Sequence, residues 1–182
     1  MTTLFSYVVQ HDYGIEPNPF GGFCTLVNCK YSKSRRSNIV ERSERGDWIV
    51  GTGGANSKLS AGHGKLIYAM RVDDKLSLVE FYQDERFHGR KNTLNREDGF
   101  ALISQYYFYF GRAAIGLERI PKQHLDHPLE KKGPGYRKDF SQEFINDFVQ
   151  WLESKYSVGK HGSPCAILTQ DSLLQIDLSQ LS

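Results

Sequence analysis

Three sets of residues combine types and spacings that could do chemistry. The first lies in the segment His11-Asp12-Tyr13-Gly14 through Pro17-Asn18-Pro19. A carboxylate such as Asp12 can serve as a general base, or accept from a base edge, when a partly buried site adjusts its pKa. The same side chain can instead close an Asx-turn ahead of Gly14. The amide of Asn18 offers a donor and an acceptor to a base, or again to a turn. The second set is the thiols. Cys24 and Cys29 are five residues apart. On one strand that odd offset sends them to opposite faces, so they cannot share a metal. Buried small apolar residues is the better reading, although a cation such as Lys30 could activate one of them as a nucleophile. The third set is aromatic and basic. Trp48, Tyr68, Tyr82, Tyr106, Tyr107 and Tyr109 could wall a base, and each also has a core reading. Stacking contributes about 1–3 kcal/mol per base in single-strand binders. Lys30, Arg35 and Arg36 follow directly on the first segment and suit phosphate contacts, which position a nucleic acid without reading it.

Other patterns are weaker. His124 and His127 have helical metal-ligand spacing, but Pro121 and Pro128 bracket them in a polar loop, which predicts exposed histidines. His63 lies in a glycine-rich tip, where it could reach over a ligand. Gly51-Thr52-Gly53-Gly54 is not followed by the lysine and then serine or threonine that close a P-loop. No cofactor and no metal are expected.

The elements that must hold these residues are mostly strands. Leu4–Val9 and Phe23–Cys29 are rich in β-formers and flank a loop stiffened by two prolines. Asp47–Thr52 and Lys65–Val72 predict an antiparallel pair joined by a glycine-rich tip. Residues 31–45 are polar and predict an exposed segment with one helical turn. Ser77 and Glu80 have capping-box spacing ahead of a short helix over Leu78–Gln83. Residues 101–110 are a β-rich run, in which Tyr106, Phe108 and Phe110 fall on one face and Tyr107 and Tyr109 on the other. The longest helix spans Ser141–Lys155, with Phe144, Ile145, Phe148, Trp151 and Leu152 as its apolar stripe. Cys165–Leu168 predicts a last short strand. This order does not alternate strands with crossover helices, which argues against a doubly wound fold.

The blocks SYVVQHDYGIEPNPFGGFCTLVNCK, GDWIVGTGG, KLIYAMRV, YFYFGR and GPGYRKDF resemble the second type of nucleotide modification associated domain, found in bacteria and phages. The resemblance runs through nearly the whole chain. It implies a nucleotide or modified-base context in DNA base hypermodification, without a defined reaction or catalytic set. A shorter likeness concerns fold. Gly46-Asp47 opening a strand, the glycine-rich tip, Val72 and the Ser77-capped helix are similar in order to EVE and related PUA-like domains. EVE and YTH relatives hold an extruded modified base in an aromatic pocket.

Bulk properties set the frame. The chain has 182 residues, 39% hydrophobic and 13% aromatic, enough for one compact domain over 1–182. Its net charge of +2 gives no global field for polyanions. There is no signal-peptide pattern and no apolar run of bilayer length. An odd count of three cysteines fits reduced thiols in a cytoplasmic protein.

These readings converge on an α+β protein: a small, mixed, mostly antiparallel barrel or curved sheet of PUA-like type with flanking helices. The expected partner is a nucleotide or a modified base in nucleic acid, with no membrane. The expected ligand-binding residues are Asp12, Asn18, Trp48, Thr52, Tyr68, Tyr109 and Arg112, with Lys30, Arg35 and Arg36 on phosphates. The alternatives are an enzyme of nucleotide or base modification, using Asp12 or a cysteine with Arg112, and a protein-interaction module of a phage or defence operon.

Overall fold

The computed structural model describes residues 1–27, 38–90 and 98–168. Its strands are β1 (Leu4–Val9), β2 (Cys24–Leu26), β3 (Trp48–Gly53), β4 (Lys65–Arg71), β5 (Asp74–Ser77), β6 (Phe100–Ser104), β7 (Tyr107–Tyr109), β8 (Ile115–Gly116), β9 (Tyr136–Arg137) and β10 (Gly159–Lys160). Its α-helices are α1 (Ile39–Arg42), α2 (Ser57–Ser60), α3 (Leu78–Gln83) and α4 (Gln142–Lys155).

The strands form two open sheets rather than a closed barrel. The larger runs β10-β7-β4-β3-β1-β9, with β8 added to β4, and the smaller runs β2-β6-β5. The β3–β4 pair is antiparallel, as the glycine-joined runs predict, with Trp48 opposite Arg71 and Gly51 opposite Tyr68. β1 lies parallel to β3, from Leu4 against Trp48 to Val9 against Gly53. Every residue of β1 and β3 is buried. Strands covered on both faces lose the polar-out alternation of a half-exposed sheet, which explains their near-continuous apolar runs.

What covers each face follows from period-2 geometry. On one face, Leu4, Trp48, Val50, Ala69 and Phe108 meet Phe144, Ile145, Phe148 and Leu152 of α4. On the other, Phe5, Tyr7, Ile49, Tyr68, Tyr107 and Tyr109 meet Cys24, Leu26 and Leu102 of the small sheet. The far side of the small sheet packs Ala101 and Ile103 on Leu78 and Phe81 of α3. The order is therefore helix, large sheet, small sheet, helix. The division of residues 106–110 between two faces holds, and both faces are core.

Local signals account for the helix starts. Ser77 and Glu80 form the expected reciprocal box at α3. The Ser141 hydroxyl accepts from the N–H of Phe144 at the start of α4. The structure departs from expectation in three places. Ile39 and Val40 in α1 are buried, so this part of the predicted exposed segment is core. The glycine-rich tip contains α2, capped by Asn56. The last strand is Gly159–Lys160, paired parallel to β7, while residues 165–168 are not in a strand. The strand expected to end at Cys29 is described only to Leu26, and Lys30, Arg35 and Arg36 lie outside the described residues. Among those described, no helix is long and apolar enough to cross a membrane.

Candidate functional site

At the end of β1 the chain turns inward, and Asp12 becomes fully buried. Its carboxylate oxygens accept from the Tyr109 hydroxyl at 2.7 and 2.8 Å. They also accept from the N–H groups of Cys165 at 3.1 Å and Gly14 at 3.3 Å. The Gly14 contact is the Asx-turn anticipated from the sequence. The Asp12 N–H donates to Leu59 at 2.8 Å, and its carbonyl accepts from Ala166 at 3.0 Å. One residue thus ties the first loop to β7, the α2 segment and the C-terminal segment.

The thiol of Cys165 also lies against the Asp12 carboxylate. Burial pushes its pKa up to about 12, and the Asp12 charge and hydrogen bond add to that, against smaller opposing effects of a backbone hydrogen bond at Ala61 and of Arg112. It is therefore a protonated thiol at neutral pH and a weak nucleophile. Burial, then Asp12, holds the Tyr109 phenol well above its ordinary range. Burial likewise raises Cys24, which sits deep between the sheets.

The network reaches solvent through Cys165. That residue lines a cleft of about 560 Å³ together with Ser57, Lys58, Ala61, Lys65, Arg112 and Ala114. Two backbone features shape it. β4 carries an extra residue, Ile67, where the register shifts between Gly51 and Thr52, and such bulges re-aim neighbouring side chains. At Gly53 a Cβ would overlap the Gly62 carbonyl, so glycine lets the α2 segment close on β3. Arg112 is anchored by its own N–H on the Ser163 carbonyl at 2.8 Å and by Nε on the Cys165 carbonyl at 3.2 Å.

The chain belongs to the nucleotide modification associated domain 2 family. Its match to that family covers residues 1–99 and 92–171. Searches of curated proteins and of solved structures returned no match. In this family member the structure brings three of the expected site residues together: Asp12, Tyr109 and Arg112. The others lie elsewhere. Trp48 faces α4, while Tyr68 is on the opposite face of the sheet, donating to or accepting from Tyr7 at 2.9 Å. The Thr52 hydroxyl is committed to the Tyr7 carbonyl at 3.2 Å. Asn18 uses its side-chain oxygen on the N–H of Phe20 at 3.3 Å and pairs its backbone with Thr25. Arg90 holds that loop, donating to the Asn18 carbonyl at 3.0 Å, to the Thr25 hydroxyl and the Phe20 carbonyl, both at 2.6 Å.

Sequence reasoning missed Lys58, Lys65 and Cys165. Lys58 sat in a stretch that reads as a flexible tip. Cys165 had no local signal, because its role depends on the return of the C-terminal segment to Asp12.

Proposed function

We propose that the protein binds a nucleotide, or a modified base in nucleic acid, as one domain of a bacterial or phage nucleotide-modification system, with the Lys58–Lys65–Arg112 cleft as its binding site. The observation that carries this reading is the convergence of three cations on a cleft whose lining includes no carboxylate. Membership of the family supplies the chemical context. Its size falls in the range of small-molecule sites, about 300–1,000 Å³. The free thiols of Cys24 and Cys165 suit a reducing, cytoplasmic compartment.

A second reading is an enzyme of nucleotide or base modification. Its support is the contact of the Cys165 thiol with the buried Asp12 carboxylate beside Arg112, a nucleophile-and-base pairing at the floor of the cleft. A bound ligand that lowers the thiol's pKa would be the condition for such a step.

The test is titration of nucleosides, nucleotides, and modified and unmodified oligonucleotides at two salt concentrations. Loss of Lys58 or Lys65 should weaken binding and flatten its salt dependence. If none of these ligands binds at millimolar concentration, the nucleotide reading fails.

A further inference from the structure

Resting on the nucleotide reading, we infer that the ligand is a free nucleotide held by its terminal phosphate, with its base left unread. The lining of the cleft argues for this. Its charged side chains are Lys58, Lys65 and Arg112, and the remainder are small: Ser57, two alanines and Cys165. It contains no aromatic ring. Sequence-tolerant binding of single strands relies on stacking platforms, and this cleft has none. The tyrosines around the Asp12 network are sealed in the core: Tyr68 and Tyr109 are 0% exposed and Tyr7 3%, and the partly exposed Tyr82 and Tyr106 do not line the cleft. Nor are the polar groups suited to a base edge presented there. Asp12 is fully buried behind Cys165, and the Asn18 side-chain oxygen is occupied by its own turn.

The cations, by contrast, are available. Lys58 and Lys65 hold no ion pair among the described residues, unlike Arg45, Arg71 and Arg86, which are paired with Asp74, Asp73 and Asp84. Arg112 spends Nε on the Cys165 carbonyl. That leaves its two terminal nitrogens for an oxyanion, with the side chain already anchored. Arginine held this way suits bidentate phosphate contact, and the lysines add point charges. A terminal phosphate carries more charge than a bridging phosphodiester and can enter a cleft end-on, whereas an internal phosphodiester is flanked by chain on both sides. A cleft of about 560 Å³ accommodates one nucleotide, not an extended strand.

The experiment compares the four deoxynucleoside 5′-monophosphates, their deoxynucleosides, inorganic phosphate, and one oligonucleotide with and without a 5′-phosphate, by calorimetric titration at fixed salt. The four monophosphates should bind within about threefold of one another, and the deoxynucleosides at least about thirtyfold more weakly. Inorganic phosphate should compete. Lys58→Ala and Lys65→Ala should each weaken binding by about tenfold or more with unchanged melting temperature, and Arg112→Ala should weaken it at least as much. Arg112→Lys, which keeps the charge and loses the fork, guards against an unfolded Arg112→Ala. Lys122→Ala, at an exposed lysine that does not line the cleft, should bind normally. Bound monophosphate should slow hydrogen exchange across residues 58–65, which places the ligand without any assay of activity. Deoxynucleosides binding as well as monophosphates, a spread above about tenfold among bases, or unchanged hydrogen exchange across residues 58–65 on monophosphate binding would overturn the inference while leaving the nucleotide reading in place. If phosphate binds and no nucleotide or oligonucleotide does, both fall.

Discussion

The hydroxyl of Tyr109 lies 2.7 and 2.8 Å from the two carboxylate oxygens of Asp12, across a separation of 97 residues in the chain. The pair joins the loop after β1 to the second strand from the large sheet's edge. It forms the floor under Cys165 and hence under the cleft.

Tyr109→Phe leaves a buried carboxylate short of one donor. Removing one partner of a buried hydrogen bond to a charged group costs about 1–3 kcal/mol. A denaturant titration of Tyr109→Phe should show that loss. A change below about 0.5 kcal/mol would mean that water or another donor replaces the phenol.

Stability should fall in alkali. Thiols and phenols in an unfolded chain titrate near about 8.5 and 10. In the folded protein burial raises Cys165 to about 12 and Tyr82 to about 12, and holds Cys24 and Tyr109 up as well. Between the unfolded and folded values the native state binds more protons than the unfolded state, so stability decreases with pH. The contribution is complete below about pH 8 and is lost as pH rises toward 12. Urea midpoints should be level from pH 7 to 8 and drop by pH 10. Cys24→Ala should reduce the slope by removing one of the four groups.

Phe148 is fully buried between α4 and the large sheet. Phe148→Ala should destabilise by about 3–5 kcal/mol, the usual cost of deleting a buried phenyl ring. Its effect on the proposed nucleotide binding should be small in whatever fraction remains folded, because the residue lies on the face opposite the Asp12–Tyr109 pair.

Arg90 sets the course of the first loop through its contacts with Asn18, Phe20 and Thr25. Arg90→Lys keeps the charge but cannot span three acceptors with one planar fork. Hydrogen exchange of the Phe20 and Thr25 amides should speed up, while the core strand β3 stays protected. Unchanged exchange around Thr25 would show that the loop is held by its prolines and turns alone.

Much of the scaffold was legible in the sequence because its signals are local. The Ser77–Glu80 box, the Ser141 cap and the period-2 split of residues 106–110 each depend on neighbours within a few positions, and each appears as written. The antiparallel pairing of β3 with β4 follows from two β-rich runs joined by glycine-rich chain. Asp12 and Asn18 could be recognised as turn formers from Gly14 and the flanking prolines, and both make those turns. What the tertiary structure alone decided is which faces are covered and which distant segments meet. Trp48 and Tyr68 sit on neighbouring strands, yet occupy opposite faces, because the register pairs Tyr68 with Gly51, three positions from Trp48; the tertiary structure decided that α4 covers one face and the small sheet the other. The parallel contact of β1 with β3 leaves no local trace, since parallel strands are joined by long connections rather than a turn. Cys165 and Lys58 come to line one cleft only because the C-terminal segment and the α2 turn close on Asp12. Hydrogen bonds to a buried carboxylate select those partners by position in space, and position in the chain says nothing of them.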